Sequence, residues 1–496
     1  MKISEIPELA PLLVSEAPTV AFTGIQCDSR RIRPGDLFAA ITGTRDAGGR
    51  YAGAALAKGA VAILSETPLP EYHRQVILVR DVRLALACIA SALKAWPSRN
   101  MRVYGITGTN GKTTTAWLLR EMLVAGGAVP GLLTTVQVEY AGRAIPATRT
   151  TPDACELQAI LAAMRTSGCD TAVMEVSSHA LDQQRVAWTR FAGAAFTNLS
   201  RDHLDYHGTM EAYFVAKCKL FDQLAAETPG ALAVCVADAG YGDRMTAYLA
   251  TLPLRRLTCG FTQAADLRAE ALAVTPDAST FTLAAPDGRR LALRVCLAGR
   301  YNVANMLCAA GLALEAGVPL EKVGETLEAA RPCWGRLERV PVDLPATVFV
   351  DYAHTDDALT NVLETLREVT RGRLRVVFGC GGERDRAKRP LMGRACAALA
   401  DDLVITSDNP RSEDPRAIIE EILQGIPEGT SYEVEADRRL AIRRALSQAR
   451  EGDVVLIAGK GHESFQELAG RTLPFDDRQV VAEEARTLSE ARQQDR

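Results

Sequence analysis

Residues 105–115 read GITGTNGKTTT, a glycine-rich run that ends in Gly-Lys-Thr. Glycines let a backbone come close to a phosphate, and the N–H groups of such a loop and of the helix after it point at the anion. Lys112 would neutralise charge on the β- and γ-phosphates of a nucleotide, and the Thr113 hydroxyl would bind Mg2+. An apolar, strand-like segment precedes the loop. The segment after it places Ala116, Leu119, Met122 and Leu123 on one helical face and closes at Gly126-Gly127. Ile106 stands where the strict GxxxxGK[ST] pattern has its first glycine. A plain glycine turn beside a surface lysine is the bland alternative. The coincidence of strand, Gly-Lys-Thr and helix argues against it.

Residues 174–186 (MEVSSHALDQQRV) and 196–221 (FTNLSRDHLDYHGTMEAYFVAKCKLF) carry acids, histidines and a lysine. Glu175 follows an apolar run, and a carboxylate is a hard-oxygen donor suited to Mg2+. His179, His203, His207, His354 and His462 all lie beside glycine, acid or hydroxyl clusters, and His73 alone lies elsewhere. One histidine is usually a satisfied structural group, whereas this grouping points to a shared site. Zinc fits less well than Mg2+, because neither HExxH nor a Cys/His ligand spacing occurs. Lys217, read alone, is a solvated lysine on a helix.

Six apolar, β-prone runs would position these groups. Residues 172–174 meet Glu175, 194–196 meet Thr197-Asn198, 348–350 meet Asp351, 376–378 meet a glycine cluster, 403–405 meet Thr406-Ser407-Asp408-Asn409, and 455–457 meet residues 458–462. Helical patterns alternate with such runs almost throughout, which predicts an α/β chain with largely parallel sheets. Ligands bind at the carboxyl ends of strands in that architecture. At about 150 residues per domain, 496 residues suggest roughly three domains. Breaks near 96–100 and 331–335 divide the chain into 1–99, 100–334 and 335–496.

Hydrophobic residues make up 47% and charged residues 24%, with a net charge of -4, so no bulk attraction to nucleic acid or anionic membrane is expected. The twelve cysteines form no CxxC pair, which suggests neither a zinc ribbon nor a disulfide framework. No apolar run reaches the ~18 residues of a membrane span. The start, MKISEIPELAPLL, lacks a basic region and an apolar stretch, so a cytoplasmic protein is expected.

Taken together, GITGTNGKTTT, MEVSSHAL, NLSRDHLDYHG, GRYNVAN, DYAHT and GCGGERD followed by KRPLMG resemble the Mur ligases, in that family's order and over nearly the whole chain. The resemblance implies an N-terminal uridine-nucleotide-binding α/β domain, a central P-loop-type mononucleotide-binding domain and a C-terminal Rossmann-like domain. It implies an ADP-forming amide ligase of cytoplasmic peptidoglycan precursor synthesis, acting as a monomer with Mg2+. The expected substrates are ATP, UDP-N-acetylmuramoyl-L-alanyl-D-glutamate and meso-diaminopimelate, joined through an acyl phosphate.

Residue by residue, Gly108, Thr109, Asn110, Gly111, Lys112, Thr113 and Thr114 match the family's ATP loop. Asn302 or Asn305 matches its adenine-contacting asparagine. Arg336, Asp351, His354 and Lys388 resemble nucleotide contacts. Thr113, Glu175 and His203 match metal positions, and Lys217 matches a lysine that becomes carbamylated (N6-carboxylysine) and joins the metal set. Ser29 resembles a uridine contact. Thr150, Thr151, Ser177, Gln183 and Arg185 match residues that hold the muramoyl peptide. DNPRSEDPR at 408–416 resembles the diaminopimelate signature. Arg384, Asp408, Asn409, Pro410, Arg411, Gly459 and Glu463 would receive that amino acid.

Two departures stand out. RDAGGRY at 45–51 differs from the family's usual run, and Glu383 replaces a common aspartate. A lysine-adding ligase, a folylpolyglutamate-synthase-like ligase and a non-catalytic nucleotide switch are the competing readings. The arginine of DNPR argues against the first. The N-terminal domain argues against the second, and joint retention of Lys112, Glu175, His203 and Lys217 against the third.

Overall fold

Strands covered by helices on both faces lose the apolar–polar alternation of a half-exposed sheet. Thr171–Glu175 and Val454–Ala458 are of this kind, buried at every position. The computed structural model describes residues 1–15, 18–43, 47–237, 240–275, 278–331 and 335–494. Among these the strands form a four-stranded, an eleven-stranded and a six-stranded sheet and a two-stranded ribbon.

The first sheet is parallel and runs Gly24–Gln26, Asp36–Ala39, Ala62–Ser65, Val76–Leu78. The middle sheet is parallel at its centre, where Arg102–Thr107 lies between Gly193–Phe196 and Thr171–Glu175. Its margins are antiparallel. Leu267–Thr275, Ala278–Ala284 and Arg290–Val295 form a meander at one edge, and Gln137–Tyr140 with Arg143–Pro146 form the other. The expectation of largely parallel sheets therefore holds at the centre and fails at these margins. There one face is open to solvent, and Leu267–Thr275 alternates accordingly.

The third sheet runs Glu338–Val340, Thr347–Asp351, Val454–Ala458, Leu374–Phe378, Asp402–Ile405, Tyr432–Val434, with only the first strand antiparallel. All six strand ends singled out in the sequence are strand ends here. The break near 96–100 is a short 3-10 helix, Pro97–Arg99, entered through Trp96 at φ 51°. Residues 332–334 of the second break lie outside the described residues. Among the described residues, no helix is long and apolar enough to cross a membrane.

Helix starts differ in a way that matters for the site. Asp153, Thr209 and Thr355 each cap a helix with a side-chain oxygen. Lys112–Ala125 begins instead at Gly111, φ 83°, with no side-chain cap. Its first-turn N–H groups are thus left for an anion.

Candidate active site

Packing explains the phosphate loop. Ile106 is fully buried within the strand, so the position that the strict pattern gives to glycine belongs here to the sheet. A Cβ on Gly108 would meet Thr197 Oγ1 at 1.9 Å, and one on Gly111 would meet Asn305 Oδ1 at 2.1 Å. The Thr197 hydroxyl donates to the Asn110 carbonyl at 2.6 Å, and the Asn110 N–H donates to Asn198 Oδ1 at 2.9 Å. Lys112 Nζ curls over the loop onto the Gly108 and Thr109 carbonyls, at 3.0 and 2.7 Å. Burial lowers its proton affinity, and Glu175 works the other way.

The Thr113 hydroxyl donates to Glu175 Oε1 at 2.8 Å. The same carboxylate accepts from the Thr135 N–H at 2.9 Å and the Thr135 hydroxyl at 3.2 Å. A hydroxyl beside a buried carboxylate suits Mg2+, which keeps several waters and takes phosphate oxygens rather than an all-protein cage. Among the described residues, no three His, Cys, Asp or Glu side chains are grouped to hold a metal by themselves.

Lys217 is buried, with Nζ donating to the Gly108 carbonyl at 2.8 Å and lying 4.4 Å from the centre of the Tyr213 ring. The solvated-lysine reading is therefore wrong. Tyr213, Lys217, Phe221 and Leu224 share the inner face of the helix Met210–Glu227, a spacing that was available in the sequence. As an amine Lys217 offers Mg2+ no oxygen donor; a carbamate on it would. His203 takes φ 54°, packs 4.8 Å from the His179 ring and has Nε2 3.3 Å from Asp202 Oδ2.

Across the loop, Arg336 Nη2 donates to Thr113 Oγ1 at 3.2 Å, and its guanidinium lies 4.6 Å from the Tyr352 ring centre. Asp351 accepts the Leu337 and Ala353 N–H groups; burial raises its pKa against the pull of Arg336. His354 Nδ1 bonds the Tyr352 carbonyl at 2.7 Å, so that nitrogen carries the proton, and Lys388 Nζ donates to the His354 carbonyl at 2.9 Å. The Asn302 amide is turned to the Ala298 carbonyl at 2.8 Å, whereas Asn305 abuts the loop at Gly111. Sequence reasoning missed two further bonds. Asn110 Nδ2 donates to Asp357 Oδ2 at 3.0 Å, and Arg201 Nη2 to Asp356 Oδ1 at 2.9 Å.

The expected peptide-holding residues converge. Thr151 Oγ1 donates to the Glu175 carbonyl at 2.9 Å and accepts the Ser177 N–H at 3.0 Å. Arg185 Nη1 donates to the Thr151 carbonyl at 3.1 Å and Nη2 to Gln183 Oε1 at 2.6 Å. Thr150 accepts from the Thr135 hydroxyl at 3.1 Å. Among the described residues, Ser29 makes no direct hydrogen bond to this cluster. Residues 45 and 46 of the divergent run lie outside the described residues, and Gly48–Tyr51 is a 3-10 turn.

The remaining group forms around the strand ends of the third sheet. Asn409 Nδ2 donates to Glu463 Oε2 at 2.9 Å, and a Cβ on Gly459 would lie 2.7 Å from Asp408 Oδ2. Lys460, which the sequence reading passed over, is fully buried at the hub. Its Nζ donates to Asn409 Oδ1 and the Phe465 carbonyl, both at 2.8 Å, and lies 3.3 Å from Asp408 Oδ1. Burial opposes the Asp408 charge, but Lys460 and Arg438 outweigh it and hold its pKa below the usual range. Burial, aided by Asp408, raises that of Glu463. Arg411 follows Pro410 at φ 55°. Arg384 is exposed in the glycine loop and donates to the Glu383 carbonyl at 3.2 Å. The Glu383 carboxylate takes the Ser412 hydroxyl, so the longer acid braces the segment that carries Arg411.

A phosphate loop set against a carboxylate, with an arginine reaching over from a second domain, suits a nucleoside triphosphate bound between the two. Family models described as Mur ligase middle domain, Mur ligase, glutamate ligase domain, and Mur ligase family, catalytic domain match residues 106–313, 335–461 and 21–94. The chain belongs to the Mur ligase family, whose members form amide bonds at the expense of ATP. A relative from Gloeobacter violaceus, named UDP-N-acetylmuramoyl-L-alanyl-D-glutamate–2,6-diaminopimelate ligase, is 45% identical over 486 residues, covering 97% of this chain and 98% of the relative. One of the same name from Listeria monocytogenes is 42% identical, covering 96% and 97%. A solved structure of a ligase of that name superposes with a TM-score of 0.70 at 35% identity, covering 99% of this chain and 100% of the other.

Proposed function

We propose that this chain joins meso-diaminopimelate to UDP-N-acetylmuramoyl-L-alanyl-D-glutamate, splitting ATP to ADP and phosphate, in peptidoglycan precursor synthesis. The supporting observation is the pairing of two sites in one chain: Thr113 and Glu175 with Arg336 over the loop, and Asn409, Arg411 and Glu463 at the ends of the third sheet. We place the domains at 1–99, 100–334 and 335–496, and read the protein as a cytoplasmic monomer.

The substrate carboxylate attacks the γ-phosphorus, ADP leaves, and an acyl phosphate forms. The diaminopimelate amine then attacks the acyl carbon, gives up a proton and expels phosphate. Lys112, Arg336 and the loop N–H groups offset phosphate charge, with Gly108, Thr109, Asn110, Gly111 and Thr114 forming the cradle. Asn305, Asp351, His354 and Lys388 border the nucleotide, with Asn302 behind them. Mg2+, held by Thr113, Glu175, His203 and carbamylated Lys217, would draw charge from the phosphates. Thr150, Thr151, Ser177, Gln183 and Arg185 hold the muramoyl peptide, and Ser29 the uridine. Arg384 and Arg411 meet carboxylate, because a guanidinium matches both of its oxygens. Asp408, Asn409, Pro410 and Gly459 shape the pocket, and Glu463 meets the distal ammonium. Substrate labelled with 18O in the carboxylate tests the route: one 18O should appear in the released phosphate, and phosphate without label would rule out the acyl phosphate.

A further inference from the structure

Arg411 is a non-glycine residue in the left-handed region, a conformation that persists only where its surroundings impose it. The imposing partner is the segment 467–469. The Arg411 N–H donates to the Glu467 carbonyl at 3.0 Å, and the Ala469 N–H donates to the Arg411 carbonyl at 2.8 Å, a parallel bridge between Arg411 and Leu468. The Glu467 N–H in turn donates to Asn409 Oδ1 at 3.0 Å. The side chains repeat the arrangement. Arg411 Nε lies 2.9 Å from Glu467 Oε2, and Nη1 donates to the Gly382 carbonyl at 2.6 Å. Two acceptors therefore hold the guanidinium, at Nε and at Nη1, and leave the rest of its N–H fork for a ligand.

We propose that Glu467 is a positioning residue of the amino-acid site and acts through Arg411. This rests on the reading of Arg411 as the group that meets a substrate carboxylate. A free arginine side chain loses much rotamer freedom when a ligand fixes it, and fixing it beforehand removes that cost from binding. The two side chains are 22% and 37% exposed, and ion pairs this open add little to stability. The pair thus contributes more to aiming Arg411 than to holding the fold. A substrate without the distal carboxylate gains nothing from an aimed Arg411, so Glu467 also favours diaminopimelate over lysine.

The test is steady-state kinetics on Glu467→Ala, Glu467→Gln, Arg411→Ala and the two double variants, with unfolding midpoints measured alongside. Glu467→Ala should raise the KM for diaminopimelate about tenfold, leaving kcat and the KM for ATP unchanged. Glu467→Gln should fall between, because its amide oxygen still accepts from Nε. With Arg411 already alanine, neither change at 467 should add to the defect. An unchanged KM in Glu467→Ala overturns the proposal, as does an equal rise with Arg411 absent. If the alanine variant is poorly folded, the coupling is read from Glu467→Gln. An unmodified enzyme that uses lysine as readily as diaminopimelate overturns the substrate reading before any variant is compared, and this proposal with it.

Discussion

The surroundings of Lys217 favour a neutral amine over an ammonium. Burial, and then Lys112, pull its proton affinity well below that of a free lysine. A neutral amine can add carbon dioxide, and the resulting carbamate would place anionic oxygens beside Lys112. Lys217→Ala should be nearly inactive, and unmodified protein in 13C-bicarbonate should show a carbamate resonance that the variant lacks. Near-normal turnover of the variant at limiting Mg2+ would refute this role.

His207 makes a second prediction at this scale. Its Nε2 bonds the Ser178 hydroxyl at 3.0 Å, its ring stacks 5.1 Å from that of Tyr213, and burial, with His179, pushes its pKa from 6.5 to about 4. The folded state thus refuses a proton that the unfolded chain accepts. The stability tied to His207 is complete above pH 6.5 and is lost as pH falls toward about 4. Urea midpoints should drop across that window, and His207→Gln should flatten the drop. An equally steep drop in the variant would show that other groups cause it.

At the scale of elements, Gly111 joins the loop to its helix. Its φ of 83° already disfavours a side chain, and an added Cβ would strike Asn305. Gly127, at φ 87°, opens onto free space. Gly127→Ala should therefore cost backbone strain of about 1–2 kcal/mol and leave ATP binding intact. Gly111→Ala should cost more and weaken ATP binding at least ~10-fold, since the loop itself must move. Equal ATP affinities in the two variants, measured by calorimetry, would contradict this.

The strand ends and the phosphate loop were legible because each is a local pattern: a run of apolar residues, then the groups it delivers. Lys460 was not, because what makes it a hub is burial against Asn409, far away in sequence. The antiparallel margins were signalled by alternation in Leu267–Thr275, a signal lost among the parallel α/β units around it. The inner-face spacing of Tyr213, Lys217 and Phe221 was legible too, yet a lysine at that spacing reads as solvated until its neighbours are known. The separate roles of Asn302 and Asn305 need the loop in place, since only packing sets Asn305 against Gly111.

For the molecule as a whole, bonds that join the phosphate-loop region to residues 336–357 among the described residues include Arg336 to Thr113, Asn110 to Asp357 and Arg201 to Asp356. Arg201–Asp356 is a partly exposed ion pair worth ~0–1 kcal/mol, and the other two are single hydrogen bonds worth about 0.5–1.5 kcal/mol each, together too little to fix one arrangement without ligand. Nucleotide and substrate should therefore favour a closed form. Solution scattering should show a more compact particle once both are added, and an unchanged profile would speak against closure.

The central claim is the identity of the added amino acid. Diaminopimelate carries a second head group, carboxylate and ammonium, that lysine lacks. In the reading proposed above, Arg411 and Glu463 meet that head group. Each charge-assisted hydrogen bond that lysine cannot make is worth ~1.5–3 kcal/mol. The most direct measurement is coupled ADP release with UDP-N-acetylmuramoyl-L-alanyl-D-glutamate and ATP, run with diaminopimelate, with lysine and with neither. The structure predicts rapid release with diaminopimelate, little with lysine, and a KM for diaminopimelate raised at least ~10-fold in Arg411→Ala. Comparable kcat/KM for the two amino acids in the unmodified enzyme would contradict it.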